Sequence, residues 1–168
     1  MLLSLTACPA DGGNGACPPS GEELREGDAL PDCSFELIDG SDTIELSGLT
    51  GQATVLNFWA SWCLACIKEM PAIDAYAKAH PEIQVLGVNV VGPNGETIES
   101  GASYFEDRGV DYESIVDLEG QLYDHFGSVE RPIMPLTVIV DANGSVAARH
   151  FGELTEASLD EKVTEALS

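Results

Sequence analysis

Basic residues are scarce in this chain: seven Lys and Arg stand against 29 Asp and Glu, a formal net charge of −22 over 168 residues. A surface of that sign repels phosphate backbones and anionic headgroups, which argues against nucleic-acid binding. The acids are spread along the chain rather than run together, so they read as a solvated surface and not as a docking patch. Long apolar runs are missing too. No stretch approaches the roughly 20 apolar residues that cross a bilayer, so no segment reads as a transmembrane helix. Histidine is equally thin: His80, His125 and His150 stand alone, with no pair at metal-ligand spacing. Internal repeats are absent. What remains is a chain with 44% hydrophobic residues, enough for a core, at a length that fits one domain.

Five cysteines lie at positions 8, 17, 33, 63 and 66, and an odd number implies that at least one does something other than pair within the chain. The segment Leu5-Thr6-Ala7-Cys8 resembles the lipobox of bacterial lipoproteins, in which a small residue precedes a cysteine that is lipidated and becomes the mature N-terminus. Residues 1–8 carry no positive charge and fewer apolar residues than a full signal, so they read as a truncated remnant of one. Residues 9–28 are rich in Pro, Gly, Asp, Ser and Glu and are expected to form a flexible tether. The resemblance implies lipidation at Cys8 and a membrane anchor; Pro9, which is not Asp, points to outer-membrane sorting in a cell that has one. The competing reading is a ragged apolar N-terminus with an incidental cysteine.

Beyond residue 30 strand and helix signals alternate. Residues 34–38 and 43–46 read as short strands about an Asp39-Gly40 turn. Residues 54–59 form a near-continuous apolar run, the pattern of a central strand covered on both faces. From Cys63 to about His80, Ile67, Met70, Ile73 and Ala77 fall on one helical face, with Pro71 expected to kink it. Residues 83–91 read as a second buried strand, 96–108 as a helix and 112–116 as a strand. Residues 119–126 read as a short helix closed by Gly127. Residues 136–141 and 145–150 form a hairpin about Ala142-Asn143-Gly144, and a last helix runs from a Thr155 N-cap to about Leu167. Residues 29–168 are thus expected to form one α/β domain, a mixed central β-sheet with helices on both faces.

The densest chemistry lies in Asn57-Phe58-Trp59-Ala60-Ser61-Trp62-Cys63-Leu64-Ala65-Cys66-Ile67-Lys68-Glu69-Met70-Pro71. A buried strand feeds straight into a helix whose first turn carries two cysteines three apart, on one side and close enough to exchange a disulfide. The partial positive charge at a helix N-terminus stabilises a thiolate there. Cys63, the outer sulfur, is the expected nucleophile and Cys66 the resolving thiol. Half of a zinc site is the alternative, but two further ligands are missing. A purely structural disulfide explains neither Trp59 nor Trp62.

The motif Phe58-Trp59-Ala60-Ser61-Trp62-Cys63-x-x-Cys66, with Pro71 five residues on, resembles the thioredoxin superfamily. Asn57-Phe58-Trp59-Ala60 and Lys68-Glu69-Met70-Pro71 resemble more specifically its TlpA/ResA-like branch of extracytoplasmic thiol-disulfide oxidoreductases. The later segment Met134-Pro135-Leu136-Thr137-Val138-Ile139-Val140-Asp141 resembles the branch's cis-proline and the strand after it. The resemblance implies a thioredoxin-like fold with Pro135 as the cis-proline, rather than Pro132, and Met134 offering its backbone to substrate. It implies that Glu69 exchanges a proton with Cys66, against the plainer reading of an exposed first-turn acid. Asn57 stands where ordinary thioredoxins have a buried Asp, which leaves Glu69 the more plausible shuttle. Trp62, Leu64, Ala65 and Met134 would line the substrate groove. Two departures bear on redox direction: Leu64-Ala65 lacks the usual proline before the second cysteine, and Leu136 replaces the usual Thr. Cys17 and Cys33 either pair as a structural disulfide in an oxidising compartment or stay as two free thiols.

The expected function is therefore reduction of disulfides in exported proteins, apocytochrome c among them, by a monomer on the periplasmic side or cell surface. The redox-active Cys63–Cys66 pair replaces any cofactor or metal, and a membrane thiol-disulfide partner supplies electrons. A thiol peroxidase would need a Thr three residues before the nucleophile, where this chain has Ala60. A non-catalytic lipoprotein module leaves the intact cysteine pair unexplained.

Overall fold

The computed structural model describes Cys17 and residues 23–168, so Cys8, the lipobox and most of the expected tether lie outside the described residues. The centre is β3 (Thr54–Trp59), in which all six residues are buried, as a strand covered on both faces requires. It is the middle of a five-stranded sheet in the order β5-β4-β3-β6-β7. β4 (Gln84–Val91) and β5 (Glu113–Leu118) run parallel to it, whereas β6 (Leu136–Val140) pairs antiparallel with β3 and with β7 (Val146–Phe151). β1 (Ser34–Glu36) and β2 (Thr43–Glu45) make a separate small hairpin. Three parallel strands therefore end together at Trp59, Val91 and Leu118, the edge of an open sheet where sites are built. β6 starts at that same edge, with Leu136 opposite Phe58.

Side chains alternate along β3 and divide the core. Leu56 and Phe58 pack with Leu46, Leu122, Tyr123 and Phe126, Phe58 meeting both of the last two rings edge-on. Val55 faces the other way, onto Ile73 and Tyr76 of α1 (Leu64–Ala79) and Leu159 and Val163 of α3 (Glu156–Ala166). Trp59, on that second side, stacks on Phe105 of α2 (Ile98–Arg108). Helical segments cover both faces, but unequally. The three α-helices share one side, and the other is covered by the β1–β2 hairpin and single 3-10 turns at Leu46–Gly48 and Tyr123–His125.

Local chemistry explains where the elements differ from expectation. α1 continues through Pro71 without interruption. α2 begins at Ile98 rather than Glu96 because Thr97 caps it, its hydroxyl accepting from Ser100 N–H at 3.0 Å. The helix expected over residues 119–126 shrinks to one 3-10 turn, since Glu119 and Gly120 both adopt left-handed backbone. Asp117, fully buried, takes over as the organiser: its carboxylate accepts from Leu122 and Tyr123 N–H, each at 2.9 Å. Burial pushes that carboxyl up to about 7.

The described part of the expected tether is not free. Leu24 N–H donates to His125 O and Gly27 N–H to Val146 O, both at 2.8 Å, and Glu23 pairs with Arg149. Cys17 is bonded to Cys33, and both are only 6% exposed. Composition hides this because backbone bonds and one disulfide hold the strap, with Leu24 its one apolar side chain packed on the core among the described residues 23–28. Removing it as Cys17→Ser/Cys33→Ser is expected to cost about 3 kcal/mol, from the closure entropy of a loop with sequence separation 16. Urea unfolding of the double variant measures it.

Candidate active site

Cys63 is the N-cap of α1, and its sulfur accepts the Cys66 N–H at 3.1 Å. That places the outer sulfur at the positive end of a 16-residue helix, where anionic sulfur is stabilised. Cys63 and Cys66 are bonded to one another, with Cα atoms 5.3 Å apart. Cys63 is 6% exposed and Cys66 is fully buried, so another protein's sulfur has access to the first alone. Among the described residues no three His, Cys, Asp or Glu side chains converge on a metal position.

Around the pair the groove candidates fall into two groups. Leu64 is 74% exposed beside the disulfide, while Trp62 and Ala65 are half-buried against it. The Trp62 indole N–H donates to Pro93 O at 3.1 Å, which ties it to the β4–α2 loop. Met134 packs against both the disulfide cluster and the opposite core, and the Met134–Pro135 bond is cis. Ile133, next to Met134 in the chain, is 63% exposed; it was not anticipated, because an isoleucine between prolines and a strand looks like core. Its backbone is gripped by the Tyr123 hydroxyl, which donates to Ile133 O at 2.9 Å and accepts from Ile133 N–H at 2.8 Å.

Glu69 lies one turn beyond Cys66 and is 1% exposed, which removes the reading of an exposed helical acid. Its oxygens accept from Asn57 Nδ2 at 2.7 Å and Leu154 N–H at 2.9 Å. Desolvation outweighs these two bonds and pushes the carboxyl up to about 7, helped by the charge of Glu153. A carboxyl poised there can hold or release a proton at neutral pH. Asn57 also reaches Thr137 Oγ1 at 3.4 Å, and its own Oδ1 has no partner.

A second residue near the site also went unanticipated. Glu96 is buried in the β4–α2 loop and bonded to Ser61 and Asn89. As the first residue of the helix expected over 96–108, Glu96 carried no sign of burial. The available signal was Asn89 itself, a polar residue inside the buried run Val88-Asn89-Val90, which must find a partner.

Residues 27–149 match the AhpC/TSA family. The chain belongs to it. Among curated proteins this redoxin is similar to the thiol-disulfide oxidoreductase ResA of Halalkalibacterium halodurans, 30% identical over 138 residues, 82% of this chain and 74% of that one. Among solved structures it is similar to a putative thiol:disulfide interchange protein DsbE from Chlorobium tepidum, 25% identical with a TM-score of 0.74 over 87% of this chain and all (100%) of that one. The pneumococcal exposed lipoprotein thioredoxin Etrx1 of Streptococcus pneumoniae, 29% identical, gives a TM-score of 0.67 over 80% of this chain and 98% of that one. The redoxin is thus a thioredoxin-superfamily protein of the TlpA/ResA-like type and a thiol-disulfide oxidoreductase.

Proposed function

We propose that this redoxin reduces disulfides of exported proteins outside the cytoplasm, held to a membrane through lipid on Cys8. The observation that carries the reading is the asymmetry of the pair, an accessible Cys63 sulfur at a helix N-terminus with Cys66 sealed behind it. In the reduced enzyme the Cys63 thiolate attacks one sulfur of a substrate disulfide and expels the other as a thiolate, leaving a mixed disulfide. Cys66 then gives its proton to Glu69 and attacks Cys63. That releases the second substrate thiolate and regenerates the Cys63–Cys66 disulfide, so two electrons pass to substrate. A membrane dithiol partner returns them. Met134 and the apolar rim of Leu64, Ala65, Trp62 and Ile133 would seat the substrate segment beside the attacking sulfur, with the cis Pro135 shaping that wall. Similarity to ResA, DsbE and an exposed lipoprotein supports the location, and the branch resemblance supports apocytochrome c cysteines as one substrate class. A peroxidase reading lacks a hydroxyl at position 60, which is Ala.

The deciding experiment is the equilibrium potential of the Cys63–Cys66 pair against glutathione. A reductase should fall nearer thioredoxin's roughly −270 mV, whereas a value near DsbA's roughly −120 mV would make it an oxidant instead. Mass spectrometry of the protein taken from native membranes tests the anchor: an unmodified chain still carrying residues 1–8 would refute it.

A further inference from the structure

Three hydrogen bonds converge on Glu96, a carboxylate only 3% exposed. Its Oε1 accepts from the Ser61 backbone N–H at 3.0 Å and from Asn89 Nδ2 at 3.0 Å, and its Oε2 accepts from the Ser61 hydroxyl at 2.6 Å. Every bond is donated to it, the arrangement an acceptor-only carboxylate satisfies. Ser61 lies two residues before Cys63, in the turn that carries the chain from β3 into α1. The same β4–α2 loop holds that turn a second time, where Pro93 O accepts from the Trp62 indole at 3.1 Å. Within the turn itself, the Cys63 N–H donates to Ala60 O at 3.0 Å.

Asn89 is fixed in turn from the α2 side. A Cβ at Gly101 would stand 2.3 Å from Asn89 Oδ1, closer than any real contact, so only glycine leaves Asn89 the space it occupies. A continuous chain of contacts therefore runs from α2 through Asn89 and Glu96 to Ser61, two residues before the attacking cysteine.

We propose that Glu96 is a positioning residue for disulfide exchange: through the Ser61 N–H and hydroxyl it fixes the turn that presents Cys63, while Gly101 leaves room for the Asn89 that braces it. The inference rests on Cys63 being the nucleophile. Its physical basis is that in-line attack on a disulfide tolerates little misplacement, a shift of about 1 Å costing on the order of 10²-fold in rate. Glu96 touches no reacting atom in this scheme; it acts through Ser61.

The test is steady-state insulin reduction, with dithiothreitol as electron source, by full-length Glu96→Ala, Glu96→Gln, Ser61→Ala and Gly101→Ala proteins, together with their thermal unfolding. Glu96→Ala deletes all three bonds and is expected to lower kcat about 10- to 100-fold with little change in KM. Glu96→Gln is expected to recover to within about threefold of wild type. Its amide oxygen still accepts from Ser61 N–H and Asn89, and its amide nitrogen can donate to the Ser61 hydroxyl oxygen, which simply reverses that bond. Gly101→Ala is expected to depress kcat in the same way by displacing Asn89. A Glu96→Ala protein that melts earlier but turns over normally below its transition would reduce Glu96 to a stability role and overturn the proposal. Glu96→Gln as impaired as Glu96→Ala would also overturn it, by making charge rather than geometry the agent. If Glu96→Ala does not fold, Ser61→Ala decides: a loss of about threefold or more in kcat supports the proposal and an unchanged kcat sinks it. A wild-type protein that reduces no insulin would instead remove the Cys63 reading on which the inference stands, a failure visible before any variant is made.

Discussion

Cys63→Ser is expected to reduce insulin disulfide reduction to the uncatalysed background, whereas Cys66→Ser should stall after one attack and accumulate a mixed disulfide. The difference follows from where the helix puts each sulfur. Cys63 caps α1 and receives the Cys66 N–H at 3.1 Å, so a thiolate there gains both a hydrogen bond and the helix field. A serine hydroxyl in the same place stays protonated and is a poor nucleophile toward sulfur. Cys66 is fully buried and bonded to Cys63, so it cannot start the reaction and is needed only to finish it. Insulin turbidity measures the first outcome, and intact-mass detection of a covalent adduct with a disulfide peptide measures the second. Full activity in Cys63→Ser, or adducts that form on Cys66 when Cys63 is absent, would require a different mechanism.

The second large effect concerns pH and Glu69. Its carboxyl keeps a proton to about pH 7 in the folded protein and loses it near 4.5 when exposed. Between those values the folded state binds more protons than the unfolded one, so stability is lost as pH rises through the window and is fully present below it. The difference in pKa corresponds to about 3 kcal/mol at 25 °C. Asp117, also raised to about 7 by burial, adds a second dependence of the same sign. Glu69→Gln removes the first and leaves the second. Its unfolding free energy should therefore fall by about 3 kcal/mol less than wild type between pH 4.5 and 8, which denaturant titrations across that range resolve. The substitution is accommodated if Asn57 flips to turn its unpartnered Oδ1 toward the new amide. Parallel stability curves for the two proteins would show that the carboxyl ionises in the folded state as it does in the unfolded. Under the proposed mechanism the same variant should release substrate from the mixed disulfide about 10²-fold more slowly, Glu69 there being the proton acceptor of Cys66.

How much of this was legible depended on whether a residue's neighbours lie near it in sequence. The Cys63/Cys66 pair, β3, β4 and the β6–β7 hairpin follow from local spacing and apolar runs, and the structure places all of them as expected. Glu69 was legible as a candidate but not as a buried one. Its environment is made by Asn57, 12 residues before it, and Leu154, 85 after it, and no local pattern reports such distances. Glu96 was hidden for the same reason, its partner Ser61 lying 35 residues away across the parallel β3–β4 crossover. The misplaced helix at 119–126 has a different cause. Its propensities were adequate, but two left-handed residues and the Asp117 carboxylate redirected the first turn.

A chain that carries both a redox-active dithiol and a second disulfide is a target for its own chemistry. Cys17 and Cys33 are packed with Leu30, Phe35 and Leu46 on the Phe58 side of the sheet, and the active pair lies with Trp59 and Met70 on the other. Exchange requires an attacking sulfur to reach the disulfide it cleaves, and the body of the sheet stands between the enzyme's own Cys63 and the Cys17–Cys33 pair. The five-stranded sheet thus works as electrical insulation. Within one molecule, one sulfur pair can cycle with every turnover without its thiolate meeting the other, because the sheet keeps the two circuits apart.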